Sequence, residues 1–244
     1  MNALILGGGF STRLYPMTEY FPKGLLEVGG KAVTGQIVDD IIACGIKEIA
    51  IVTNNRCFKA FEAWIQKNYT EQQIHVINDG IDNPDDRLGA IGDLVFALDE
   101  LGWEEDVLVV ASDTLVSLEV KKYIEFYEKH HGVTIAVIQA KSRDQIANRL
   151  GCIEVDGDKM IGCEEKPTHP KSDYMAIPYY IFPKESISLI RQYQKEGNAT
   201  DAPGYIFPWL IGKIATYAYK IEDGYYFDVG TKETLEFVRT KFNK

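Results

Sequence analysis

The sequence predicts an α/β protein: three layers, α/β/α, around a mostly parallel mixed sheet, with hairpin elements inserted in the second half. Three observations predict it. Short apolar runs such as Val107-Leu108-Val109-Val110 read as strands buried on both faces, as in parallel sheets. These runs alternate with segments of helical periodicity. After Ala140 the texture changes to closely spaced strands flanking Asp156-Gly157-Asp158, a hairpin turn signal.

Taken in order, the first strand covers Ala3–Leu6 and opens directly into glycine. A helix over Val33–Cys44 follows, then strand Glu48–Thr53, helix Phe58–Lys67, strand Ile74–Asn78, helix Ile91–Leu101 and strand Val107–Ala111. Leu118–His130 reads as a helix with Ser117 capping its start, Gly132 its end, and Leu118, Ile124 and Tyr127 in its buried stripe. Strand Val133–Ala140 ends the first half. Gly151–Val155 and Lys159–Cys163 form the hairpin. Strand Ile177–Phe182, helix Glu185–Glu196, short helix Ile206–Ile214, strand Thr216–Ile221 and closing helix Thr231–Phe242 complete the chain. The alternation is Rossmann-like, and ligands in such sheets bind at the carboxyl ends of the strands.

The chain has 244 residues, which suits one domain, and 45% hydrophobic residues supply its core. A formal charge of −10 argues against a general nucleic-acid or membrane-surface role. A local pocket of Arg and Lys can still oppose that field. Cys44, Cys57, Cys152 and Cys163 show no C-x-x-C pair and read as reduced thiols, with Cys44 on a core-facing helix side. The first apolar run is too short for a secretory leader, and no window approaches the length of a membrane span, so a cytoplasmic protein is expected. His75, His130, His131 and His169 lack metal-ligand spacing, and no Ser/His/Asp or Cys/His arrangement supports a covalent mechanism.

The most informative stretch is Leu6-Gly7-Gly8-Gly9-Phe10-Ser11-Thr12-Arg13, followed by Lys23. Three glycines let the backbone approach a ligand with bare N–H groups, which suit phosphate or base edges. Arg13 and Lys23 add two cations. The dinucleotide fingerprint G-x-G-x-x-G fails because Thr12 stands at its third glycine, and no segment satisfies the P-loop pattern. The loop is therefore read as one built to hold a polyphosphate.

Asp113 lies just past the strand Val107–Ala111, and Asp228 lies far off in Tyr225-Tyr226-Phe227-Asp228-Val229-Gly230-Thr231. Two carboxylates brought together at strand ends can hold a hard divalent cation; Mg²⁺ takes one or two carboxylates plus substrate phosphates. Each could equally be a turn or helix-start aspartate. In Glu164-Glu165-Lys166-Pro167, the residue before proline is held extended, which would aim the Lys166 amine from a fixed backbone. Lys166 and Glu165 would suit a second phosphate or a sugar hydroxyl, or form a solvated charged turn.

These residues resemble the nucleotidyltransferases that make nucleotide sugars from a nucleoside triphosphate and a sugar 1-phosphate. The family opening, roughly L-A-G-G-x-G-T-R-L-x-P-L-T-x-x-x-P-K-x-L-L-P-V, stands here as Leu6 through Val28 with unbroken spacing. Ser112-Asp113 is similar to the G-D metal element, Glu164–Pro167 to E-E-K-P, and Phe227–Thr231 to W-x-D-x-G-T. Leu88-Gly89-Ala90 resembles the segment facing the nucleoside, and Leu150-Gly151 the Y-G element near the sugar. The chain departs from the pattern at Ser11 and Ser112, which replace glycines, at Phe227, which replaces tryptophan, and in Ala176-Ile177, which lacks a common glycine. Residues 82–88 hold no glutamine, which thymidine- and uridine-specific members often place on the base.

The resemblance covers nearly the whole chain and implies one domain. Residues 1–140 would form its nucleotide-binding half and residues 141–244 its acceptor-binding half. It implies an in-line displacement on the α-phosphorus with release of pyrophosphate. Arg13, Lys23, Asp113 and Asp228 would be catalytic, with Asp113 and Asp228 on Mg²⁺. Leu6, Gly7, Gly8, Gly9, Ser11, Thr12 and Gly89 would bind the nucleotide. Gly151, Glu165 and Lys166 would bind the acceptor. The implied partners are a nucleoside triphosphate and a phosphorylated small molecule, with neither nucleic acid nor membrane, and with self-association into a homo-oligomer. Two other readings stay open: a cytidylyltransferase of the same fold acting on a phosphocholine- or inositol-phosphate-like acceptor, and a silent regulatory subunit that senses nucleotide sugars.

Overall fold

The computed structural model describes residues 1–242. Strand β1 (Asn2–Gly7) runs into the glycine loop, and the short antiparallel pair β2 (Glu27–Val28) and β3 (Lys31–Ala32) precedes α1 (Val33–Ala43). Next come β4 (Ile49–Thr53), α2 (Asn55–Asn68), β5 (Ile74–Asn78), α3 (Gly89–Leu101), β6 (Val107–Ala111), β7 (Thr114–Val116), α4 (Val120–His130) and β8 (Val133–Gln139). The second half holds β9 (Cys152–Asp156), β10 (Lys159–Glu164), β11 (Tyr174–Phe182), α5 (Lys184–Lys195), α6 (Ile206–Leu210), β12 (Thr216–Ile221), β13 (Tyr226–Asp228) and α7 (Lys232–Phe242).

Among the described residues, nine strands form one mixed sheet in the order β5-β4-β1-β6-β11-β8-β12-β10-β9. β5, β4, β1 and β6 are parallel neighbours, so their carboxyl ends share one edge. β11 is antiparallel to β6 and β8, and β12 is parallel to β8. β9 and β10 form the expected hairpin, with Gly157 at φ 59 in its turn, and β9 also pairs with the start of β11. Successive strand residues face opposite layers. Ala3 and Ile5 join the core beneath α1, α2, α4 and α7, while Leu4 joins the core beneath α3, α5 and α6. Both faces are therefore covered, as the apolar runs require. No described helix is long and apolar enough to cross a membrane.

Several expectations are corrected. α4 begins at Val120, and Ser117 does not cap it; the Ser117 hydroxyl accepts the Tyr225 N–H at 2.8 Å instead. The helix ends on His131 in the left-handed region at φ 50, one residue before Gly132. Its buried stripe is Val120, Tyr123 and Tyr127, with Ile124 only partly buried. The helix expected over Ile206–Ile214 stops at Leu210, and Ile211 bridges Ile214. Cys44 is the half-buried C-cap of α1, at the margin of the core. The pairing of β7 with β13 was not foreseen: three residues each give too little alternation to read.

Candidate active site

The carboxyl edge of the parallel strands fixes the glycine loop from both sides. Thr53 Oγ1 donates to Gly7 O at 3.2 Å, Asn54 Nδ2 donates to Gly8 O at 3.0 Å, and the Ser112 N–H donates to Leu6 O at 3.0 Å. With these carbonyls tied, N–H groups are what the loop has to offer a ligand. Asn54 also caps α2 through its Oδ1, which accepts the Cys57 N–H at 3.1 Å. Ser11 stands at φ 52, a conformation that favours glycine, and Thr18 Oγ1 donates to its carbonyl at 2.9 Å. Leu6, Gly7, Gly8, Gly9, Ser11, Thr12, Arg13, Lys23, Gly89 and Asp113 all line one cleft of about 480 Å³. Gly89 is required where it stands. Its φ is 78, and a Cβ would lie 2.5 Å from Thr200 O.

The pairing of β7 with β13 brings the two distant aspartates together. Asp228 lies opposite Thr114, the residue after Asp113, and the Val229 N–H donates to Asp113 O at 3.1 Å. Lys23 comes from the other side and forms an ion pair with Asp113. Gly24 permits this approach, because a Cβ there would meet Ser112 O at 2.8 Å. Burial alone would lower the pKa of Lys23, but Asp113 and Asp228 reverse that, so its amine stays cationic. Burial works against charge on Asp113 as well; Lys23 and a hydrogen bond from Asp228 hold its carboxyl below the usual range. Asp228 moves the other way, pushed up by burial and then by the neighbouring Asp113.

This pair fits a hard cation. Asp228 Oδ1 is buried and has no hydrogen-bond partner, and the adjacent Thr114 hydroxyl is in the same state. Orphaned buried oxygens are costly, and a cation satisfies them. Among the described residues no group of three or more His, Cys, Asp or Glu could form a full protein cage. An all-oxygen pair that leaves room for substrate phosphates is the donor set Mg²⁺ takes.

A second cleft of about 730 Å³ opens on the other side of Arg13 and Gly230, which line both. Lys166 and Asp228 line it as well, together with Arg149 and Phe237. Lys166 is not extended as expected before proline: it stands at φ 48, with its side chain 46% exposed. Gly151 and Glu165 line neither cleft. The Glu165 side chain is 10% exposed and lies 3.8 Å from the Lys166 amine. It sits against Gly204 and Gly151, where a Cβ on Gly151 would lie 3.2 Å from Oε2 and one on Gly204 would collide with it. Glu165 is thus set behind Lys166, and burial raises its pKa.

Residue reading missed five residues around this cleft. Asn54 fixes the loop, and the Arg87–Asp201 ion pair at 2.8 Å closes the far end of the first cleft. Asp79 and Asp93 also line that cleft; burial pushes them up to about 6 and about 7, and Asp79 adds to the rise of Asp93. Asp93 did carry a signal. It is the single charge in Gly89-Ala90-Ile91-Gly92-Asp93-Leu94-Val95, about two otherwise uncharged helical turns.

Similarity to known proteins agrees with this geometry. A glucose-1-phosphate adenylyltransferase of Clostridium novyi is 30% identical over 96% of this chain and 65% of its own length. A Yarrowia lipolytica mannose-1-phosphate guanyltransferase is 28% identical over 94% of this chain and 61% of its own. A Sulfolobus acidocaldarius protein provisionally named mannose-1-phosphate guanyltransferase is 27% identical over 100% of this chain. The chain thus spans 61–65% of the length of these relatives. A solved Bacillus anthracis structure in complex with sucrose, provisionally named glucose-1-phosphate thymidylyltransferase, superposes with a TM-score of 0.84 at 22% identity, covering 100% of this chain and 96% of that one. It shares the fold. The nucleotidyl transferase family matches residues 2–243, and the chain belongs to that family.

Proposed function

We propose that this protein joins a nucleoside triphosphate to a sugar 1-phosphate, giving a nucleotide sugar and pyrophosphate. The observation that carries this reading is the meeting of Lys23, Asp113 and Asp228 where two clefts adjoin, one walled by the glycine loop and one by Lys166. The relatives' names agree in sugar 1-phosphate and differ in nucleotide.

In the proposed reaction an acceptor phosphate oxygen attacks the α-phosphorus, and the bond to the β-phosphate oxygen breaks. Little covalent work falls to the protein; positioning and charge placement do most of it. The loop N–H groups and Arg13 hold the triphosphate. Lys23, buried and cationic, faces the charge that develops on the α-phosphate. Lys166 holds the acceptor phosphate from the second cleft, backed by Glu165. Gly151 helps shape that side, although it does not reach the cleft wall. Asp113 and Asp228 would hold Mg²⁺, which would supply charge neutralisation between nucleotide and product phosphates. The halves before and after residue 140 divide the work unevenly, since Pro178, Asp201, Pro203 and Gly230 also line the nucleotide cleft. A cytoplasmic, self-associating enzyme acting on neither nucleic acid nor membranes completes the proposal.

The test is pyrophosphate release over a grid of nucleoside triphosphates against sugar 1-phosphates, phosphocholine and inositol phosphates, with Mg²⁺. A productive pair with a sugar 1-phosphate is expected. Release only with a non-sugar acceptor, or none at all, overturns the proposal.

A further inference from the structure

The nucleotide cleft has charged side chains at both ends: Lys23 and Arg87 are paired with Asp113 and Asp201, whereas Asp93 has no cation beside it. β5, β4, β1 and β6 lie side by side, and Asp79 follows β5 while Asp113 follows β6. Three strand spacings separate these strand ends, about 14 Å. Arg13 and Lys23 serve the end near Asp113, where the triphosphate belongs. Asp93 stands with Asp79 toward the other end.

Asp93 is 6% exposed, lines the cleft, and makes no hydrogen bond or ion pair among the described residues. Its carboxylate lies directly over Gly8, so close that a Cβ there would collide with Oδ2. A largely buried carboxylate without a donor has given up much of its water with no hydrogen bond in return. Helix packing does not call for it, since Ile91, Leu94 and Val95 around it are apolar and buried. A ligand that brings N–H donors to this end of the cleft would complete it.

We propose that Asp93 reads the base of the nucleotide, and that the base is guanine; this rests on the reading of the cleft as a nucleoside triphosphate site. Guanine presents a ring N–H and an exocyclic amine side by side, two donors for two carboxylate oxygens. Uracil and thymine present one N–H between two carbonyls, which a carboxylate repels. Adenine and cytosine set their amine beside a bare ring nitrogen, so one oxygen gains a donor and the other faces a lone pair. Gly8 is glycine because the carboxylate needs the room above it.

Binding is measured separately from turnover. The full chain is titrated calorimetrically with GTP, ATP, CTP, UTP and xanthosine triphosphate, each with Mg²⁺, and so is Asp93→Asn. The wild type should bind GTP at least about tenfold tighter than the other three common nucleotides. Asp93→Asn should lose that margin and turn to xanthosine triphosphate, because the asparagine amide sets a donor against the 2-carbonyl. Wild-type preference for ATP, CTP or UTP overturns the proposal whether or not the variant folds. So does a GTP-to-UTP ratio that Asp93→Asn leaves unmoved, the result expected if Asp93 held ribose hydroxyls common to all. Selective GTP binding without pyrophosphate release supports the base assignment and overturns the transferase reading. Release with UTP but not GTP does the reverse.

Discussion

Lys23 lies at the point where the two clefts adjoin, paired with Asp113 and within the field of Asp228. An amine held this way needs no reorganisation when charge develops in front of it, which is why its removal should be severe. Lys23→Ala and Asp113→Asn are each expected to cut turnover by at least about 10²-fold. Steady-state pyrophosphate release checks this, with circular dichroism to confirm an unchanged fold; near-normal rates would show that neither side chain meets the reacting phosphate. Individual residues were the most legible scale. Motif spacing singled out Arg13, Lys23, Asp113 and Asp228, and the structure brings the four side chains to adjoining clefts. At Lys166 the expected backbone is corrected. Proline after it was read as enforcing an extended backbone, yet the turn holds it at φ 48. Ser11 occupies a glycine position in the family pattern, and its φ of 52 gives the physical reason for that pattern.

Elements explain how residues so far apart in sequence come to meet. β7 and β13 are three residues each, with neither the length nor the alternation that marks a strand, so the pairing that unites Asp113 with Asp228 was invisible in the sequence. The central parallel strands were legible because β1, β4 and β6 are nearly continuous apolar runs. The start of α4 was misplaced because a side chain is engaged elsewhere: Ser117, a sound cap by type, accepts a hydrogen bond from the Tyr225 N–H instead. α4 shows how an element is secured to the sheet. Tyr123 is fully buried, and its hydroxyl lies 2.8 Å from Thr134 O and 2.9 Å from Tyr179 O, so its one proton is shared between carbonyls of β8 and β11. Tyr123→Phe keeps the ring and removes that one donor from the two carbonyls that share it. A loss of about 1–3 kcal/mol is expected. Urea denaturation measures it; a midpoint within error of wild type would mean the carbonyls find other donors.

At the scale of the whole molecule, the nucleotide cleft stores a cost that the fold must carry when no ligand is bound. Burial pushes Asp93 up to about 7 and Asp79 up to about 6, both far above an ordinary aspartate. A carboxyl whose pKa rises on folding binds more protons in the folded state than in the unfolded chain. Its favourable contribution is therefore full below about pH 4 and is lost as pH rises through 7. For Asp93 alone the loss is on the order of 4 kcal/mol, from a rise of roughly three pKa units. Asp93→Asn cannot ionise and escapes that loss. Relative to wild type it should be more stable by a few kcal/mol at pH 8.5, with the advantage shrinking toward zero near pH 4.5. Paired denaturation curves at the two pH values test this. A difference that does not change with pH would mean that Asp93 carries a normal, compensated carboxylate in the free protein. The gain in stability should come with the loss of guanine selectivity, because one uncompensated carboxylate accounts for both: it is costly while the cleft is empty and is satisfied by the donors of the base.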